Sequence, residues 1–294
     1  MFAHNAFSAE ELADCLGDQR VSLCIPARNE AETIGTIVEL ARSELVERTP
    51  LLHEIVVMDD HSDDRTAEVA SAAGARVARC EDLLTDYAKG PGKGQAMWKS
   101  VYAAKGDLIV WCDADIRNFG VQFIIGLVGP LICHRDVSFV KGYYERPLDG
   151  KAGAGGRVTE LVARPLFSLF RPELAQFIQP LSGEYGGRRS ALERLPFTHG
   201  YGVETGLLCD LAKSTDLSTI AQVDLGTRVH RNRDLDGLAV QSQQVMATLL
   251  HRSIPDLVAE HSTLVRPGKA DVAIDVSACP PLIDVPEYTR RATD

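Results

Sequence analysis

The strongest constraint in this sequence is the way short apolar runs alternate with amphipathic helical patterns through its first half. "RVSLCIPA" reads as a buried strand, and "NEAETIGTIVELARSEL" follows it with Ile34, Ile37, Val38 and Ala41 at helical spacing. "HEIVVMDD" is the next strand and "DDRTAEVASAAGA" the next helix, closed by Gly74. "RVARC" gives a third, short strand, "GKGQAMWKSVYAAKG" a helix stopping at Gly106, and "DLIVWCDADI" another strand. This order predicts an α/β fold with a mostly parallel central sheet and helices on both faces. Ligands of such sheets sit at the carboxyl ends of the strands. Residues 26–30, 59–60 and 113–115 all fall there, so three polar clusters converge on one edge.

Length and charge narrow the classes. A chain of 294 residues with 45% hydrophobic composition is one large domain or two intimate ones. A formal net charge of -10 argues against a general nucleic-acid binder, whose affinity would rest on a basic face. The seven cysteines are odd in number and form no CxxC pair, so reduced thiols in a cytoplasmic protein are expected rather than a zinc site or a disulfide framework. The longest apolar stretch, "VQFIIGLVGPLIC", is too short and too interrupted to cross a bilayer, and "MFAHNAFSAEEL" lacks the basic start and apolar centre expected of a signal peptide. No membrane association is expected.

The first strand is followed by "IPARNEAE" and not by Gly-x-Gly-x-x-Gly, which disfavours a nicotinamide Rossmann domain. A helix opening with Asn29, Glu30 and Glu32 is also a poor phosphate cradle, because acids already occupy its positive end. Those groups suit hydrogen bonds to a nucleoside. After residue 145 the texture changes: "RPLDGKAGAGG" reads as a connecting segment and "RVTELVARPLFSLF" as a helix beginning near Thr159. "HGYGVETGLLCDLA" is a glycine-rich turn feeding a helix, "STIAQVDLGTRVHRN" a strand ending in basic residues, and "LAVQSQQVMATLLHRSI" a further helix. Two halves are expected, 1–145 and 146–294, the second ending in a tail with little periodic signal.

Several constellations carry chemistry. Asp113 and Asp115, separated by Ala114 at a strand exit, repel each other and need either solvent or a cation; hard oxygens suit Mg²⁺ or Mn²⁺. His230 in "VHRNRD" is either a solvated loop residue or a further metal ligand. Lys93 in "GPGKGQAMW" does not fit the P-loop pattern; it is either a solvent lysine or a point charge for a diphosphate. Gly156, Arg157 and Thr159 at a helix start are either a linker with its cap or an anion pocket for a phosphate or carboxylate. Glu204, inside an apolar stretch, is either a first-turn acid or an acceptor for a sugar hydroxyl.

Together these blocks resemble the retaining glucosyl-3-phosphoglycerate synthases and their relatives that use mannose. "IPARNEAETIG", "PGKGQAMWKS", "DADI", "GGRVTELVARPL", "QPLSGEY", "GYGVETGLL", "AQVDLGTRVHRNR" and "QVMATLL" occur in order from about Val21 to Pro255. The chain departs from the family pattern in reading "PARNEA" for PALNEE and in carrying Asp60 for serine. The resemblance implies a glycosyltransferase-A fold, a nucleotide-sugar half joined to an acceptor half, and a homodimer. Pro26, Ala27, Arg28 and Glu30 would then hold the nucleoside, with Asp60 and Lys93 from neighbouring loops. Asp113 and Ala114 would face the donor, Asp115 and His230 would bind Mg²⁺ or Mn²⁺ with the diphosphate, and Tyr201 and Glu204 would contact the transferred sugar. Gly156, Arg157, Thr159 and Asn232 would hold 3-phosphoglycerate. Glucose from a UDP- or GDP-glucose donor would pass to the acceptor's 2-hydroxyl with Asp115, Glu204, His230 and Lys93 as the catalytic set. The alternatives are a synthase using GDP-mannose, or a nucleotide-sugar-binding protein without turnover.

Overall fold

A computed structural model describes residues 1–147, 156–229 and 234–291. Its strands are β1 (Phe2–Ala3), β2 (Val21–Ala27), β3 (Glu54–Asp59), β4 (Arg76–Arg79), β5 (Leu108–Trp111) and β6 (Phe139–Glu145). They continue with β7 (Tyr185–Arg188), β8 (Phe197–Thr198), β9 (Ile220–Thr227), β10 (His261–Leu264), β11 (Val272–Asp275) and β12 (Ala278–Cys279). Among the described residues one eight-stranded sheet runs in the order β1-β9-β6-β7-β5-β2-β3-β4. Every neighbouring pair in it is parallel except those that β7 makes with β5 and β6. β7 alone runs backwards, so its N-terminal end lies at the edge where β2, β3, β5, β6 and β9 end.

The central strands are apolar without alternation because helices cover both faces. Leu23, Ile25, Val57, Leu108 and Val110 pack on one side with helices α1 (Ala9–Leu16), α2 (Ile34–Arg42), α3 (Thr66–Ala72) and α5 (Gln122–Cys133). Their alternate neighbours Cys24, Val56, Met58, Ile109 and Trp111 pack on the other side, against α4 (Lys93–Ala103) and α8 (Val203–Ser214). The remaining helices are α6 (Arg164–Phe170), α7 (Arg189–Leu192), α9 (Leu235–Ser253) and α10 (Pro286–Arg291). Among the described residues no helix is long and apolar enough to cross a membrane.

Several expectations need correction. The helix after "IPARNEAE" begins at Ile34, not at Asn29; residues 29–31 form a turn whose amides donate to Ser62, Thr66 and Asp64. Asn29 takes φ 58°, a left-handed conformation that asparagine tolerates better than most residues. α4 ends at Ala103, ahead of Gly106. β7 and β9, both beyond residue 145, return into the main sheet, so the boundary expected there separates sequence and not sheet. The tail, weakly patterned in sequence, forms the β10–β11 hairpin, and β12 pairs with β8. Trp98 Nε1 donates to the Pro280 carbonyl at 2.7 Å, which fixes that tail against α4.

α4 is buried on nearly every side, and its second residue shows why the "GKGQ" block is glycine-rich. A Cβ on Gly94 would lie 1.9 Å from the Thr198 carbonyl oxygen. Only glycine lets the helix start this close to β8, and that approach sets where Lys93 points.

Candidate active site

A cleft of about 380 Å³ opens at the carboxyl edge of the sheet. Its walls include Pro26, Ala27, Arg28, Glu30, Asp60, Lys93, Asp113, Ala114, Asp115, Gly156, Arg157, Thr159, Tyr201 and Glu204. Sequence reasoning had picked each of these, on segments up to 178 positions apart, and the fold gathers them around one volume. His230 and Asn232 lie outside the described residues. The chain is described up to Val229, whose carbonyl accepts from the Arg117 amide at 2.9 Å, two positions past Asp115.

The walls at the strand ends are braced by their own loops. Asp60, buried at the end of β3, accepts from the Gly92 amide at 2.9 Å and so anchors the loop that precedes Lys93. The Thr33 hydroxyl donates to the Ala114 carbonyl at 2.6 Å and holds the turn between the two aspartates. On the opposite wall Gln95 accepts from the Gly200 amide at 3.0 Å and Gln244 from the Tyr201 amide at 2.9 Å. These two glutamines fix the glycine-rich turn that carries Tyr201 and Glu204. Gly200 itself takes φ +59° and Gly156 φ +80°, conformations that favour glycine.

Lys93 is not a solvent lysine. Its ammonium lies 2.8 Å from Asp113 Oδ1 and 2.8 Å from Glu204 Oε1. Burial would lower its pKa, but Asp113 and then Glu204 outweigh burial and hold the ammonium well above its usual range. Burial likewise would raise the Asp113 carboxyl; Lys93 and then Arg228 reverse this and keep it ionised well below the usual carboxylate range. Glu204 is almost fully buried and its carboxylate is engaged by Lys93.

Arg228 answers the question posed by the aspartate pair. Its Nη2 donates to Asp113 Oδ2 and to Asp115 Oδ1, each at 2.8 Å, and its Nε lies 3.2 Å from Glu184 Oε1. Its guanidinium carbon lies 5.4 Å from the Tyr144 ring centroid. Glu184 is fully buried, and burial pushes its carboxyl upward against the pull of Arg228. Sequence reading missed both residues. Glu184 reaches this edge only because β7 runs backwards, which places Gly183 beside Asp113. Arg228 sits one position past β9, a strand that no local signal places next to β6.

The donor set fits a divalent cation in part. Asp113 and Asp115 supply hard oxygens at the cleft wall, as Mg²⁺ or Mn²⁺ requires. Among the described residues no group of three or more His, Cys, Asp or Glu is placed to hold a metal alone. Oxygens from a bound diphosphate would complete such a set.

The family model described as glycosyl transferase family 2 matches residues 22–120. The glucosyl-3-phosphoglycerate synthase of Petrotoga mobilis is 43% identical over 290 residues, 93% of this chain and 89% of that protein. A crystal structure of the Mycobacterium tuberculosis glucosyl-3-phosphoglycerate synthase, in complex with Mn²⁺, uridine-diphosphate-glucose and phosphoglyceric acid, superposes with a TM-score of 0.85 at 42% identity, covering 95% of each chain. That of mannosyl-3-phosphoglycerate synthase from Rubrobacter xylanophilus has a TM-score of 0.87 at 36% identity, covering 97% of this chain and 96% of that one. With its glycosyltransferase α/β sheet and its cleft, the chain belongs to the glucosyl-3-phosphoglycerate synthase family.

Proposed function

We propose that this protein transfers glucose from UDP-glucose to the 2-hydroxyl of D-3-phosphoglycerate, with retention at the anomeric carbon, and releases UDP. One observation carries the reading: the donor-type groups at the strand ends and the anion-binding groups Gly156, Arg157 and Thr159 line the same cleft. The first half of the chain supplies most of the donor wall and the second half the acceptor wall. A homodimer in the cytoplasm is part of the reading, in keeping with the free thiols at Cys24, Cys80, Cys112, Cys209 and Cys279.

The chemistry follows from the charges. Pro26, Ala27, Arg28, Glu30 and Asp60 frame the nucleoside. Asp115, with His230, would hold Mg²⁺ or Mn²⁺ beside the diphosphate. Bound there, the cation supplies Lewis-acid stabilisation of the leaving group. Lys93, kept charged by its two carboxylates, adds a fixed positive charge near the oxygens that become more negative as the anomeric bond lengthens. Glu204 and Tyr201 orient the glucose. Arg157, Thr159, Gly156 and Asn232 pin the acceptor's phosphate and carboxylate, which brings its hydroxyl to the sugar face that the diphosphate leaves. Neither Glu204, held by Lys93, nor Asp113, held by Lys93 and Arg228, is free to serve as nucleophile. The departing diphosphate takes the hydroxyl proton.

The test is incubation with 3-phosphoglycerate, Mg²⁺ and a panel of UDP-glucose, GDP-glucose and GDP-mannose while nucleoside diphosphate release is followed. UDP-glucose should give the highest kcat/KM. Preference for GDP-mannose would establish the second reading, a mannosyl transferase, which the likeness to the Rubrobacter xylanophilus protein favours.

A further inference from the structure

We infer that Arg228 is a positioning residue that competes with the divalent cation for the aspartate pair and so ties cation binding to arrival of the donor. The inference rests on the metal-dependent reading above. A single nitrogen of Arg228 bridges Asp113 Oδ2 and Asp115 Oδ1 at 2.8 Å each, from a side chain that is 3% exposed. A cation seated on Asp115 needs the same carboxylate charge that this nitrogen neutralises. Two cations cannot share that oxygen without strong repulsion in a partly desolvated site.

The surroundings hold Arg228 ready for both roles. Glu184 anchors it from beneath at 3.2 Å, and Tyr144 faces the guanidinium. Glu184 Oε2 has no hydrogen-bond partner although the residue is fully buried, and Arg228 is the foremost charge compensating the carboxylate, with the Asp113 amide 3.4 Å from its Oε1. Arg228 therefore remains near its anchor even when its contact with Asp115 is lost. A guanidinium has five N–H donors, more than its three carboxylate contacts use. A diphosphate offers those donors new oxygens at the moment it offers oxygens to the cation. Cation and nucleotide thus favour one another, while the cation alone meets an opponent.

The test measures Mn²⁺ binding by electron paramagnetic resonance titration, with and without UDP, and needs no turnover. Removing Arg228 alone strands Glu184, so the informative variant is Arg228→Met with Glu184→Gln, which keeps the local net charge unchanged. Near-ultraviolet circular dichroism checks its fold, and Arg228→Lys provides a second, charge-conserving variant. In the wild type UDP should tighten Mn²⁺ binding by about tenfold or more. In the double variant Mn²⁺ without UDP should bind several-fold more tightly than in the wild type, and the factor contributed by UDP should shrink. Arg228→Lys, whose ammonium lacks the planar fork, should fall between. Unchanged or weaker nucleotide-free Mn²⁺ binding in a folded double variant overturns the inference while leaving the metal reading intact. A wild type that binds no Mn²⁺ even with UDP overturns both.

Discussion

At the scale of single residues the site is an array of buried charges whose signs alternate. The proposed function has Arg157 hold the acceptor's anionic groups, so Arg157→Ala should raise the KM for 3-phosphoglycerate by roughly ten- to a hundredfold, as expected for loss of a charge-assisted contact. The KM for UDP-glucose should change little; steady-state kinetics with each substrate varied would decide, and an equal rise in both would count against this role. Lys141 lies behind the cleft, its ammonium donating to the Ser182 carbonyl and lying 4.0 Å from the Tyr185 ring centroid. Burial pushes it down from 10.5 to about 7. Between those values the unfolded chain holds a proton that the native chain has released, so stability rises with pH across the window. Urea unfolding at pH 7 and pH 8.5 should show Lys141→Met losing up to about 2 kcal/mol of that rise relative to wild type. Parallel pH dependences would show that Lys141 stays charged. Neither Lys141 nor Arg228 was legible in the sequence, because a buried cation is defined by neighbours 41 and more positions away.

At the scale of elements the aspartate pair depends on how closely β7 approaches β5. A Cβ on Gly183 would fall 2.1 Å from Asp113 Oδ2, the oxygen that accepts from Arg228. Gly183→Ala should therefore push Asp113 off its partners, lower stability by about 1–3 kcal/mol and reduce kcat more than it raises the acceptor KM. Thermal melts and kinetics would check this; an alanine variant with wild-type kcat would mean that Asp113 tolerates displacement. The strands and helices of the first half were readable because apolar runs bounded by turn residues encode buried parallel strands directly. "RVSLCIPA" became β2 and "HEIVVMDD" became β3 with little adjustment. The start of α2 was misjudged because Asn29–Ala31 look like a helix opening, yet their amides bond to the neighbouring loop. β10 and β11 escaped notice because each is only four residues long and Ile274 alone among their residues is buried, too little to form a periodic pattern.

On the scale of the whole molecule, one reversed strand joins two stretches of sequence into a single sheet and brings Glu184 to the edge where Asp113 emerges. The wall at the strand ends was legible, since it follows from the polarity of a parallel sheet. The way the second half closes over it was legible only as separate motifs, because pairings between β9 and β6 or β12 and β8 leave no local trace. The proposed reaction is cation-assisted, retaining transfer to 3-phosphoglycerate within this one cleft. Proton NMR of a mixture of the protein with UDP-glucose, 3-phosphoglycerate and Mg²⁺, with and without excess EDTA, tests it most directly. An α-configured glucosyl-3-phosphoglycerate should appear in step with UDP, and no product should form once the cation is chelated. A β-configured product, or equal turnover in EDTA, would contradict it.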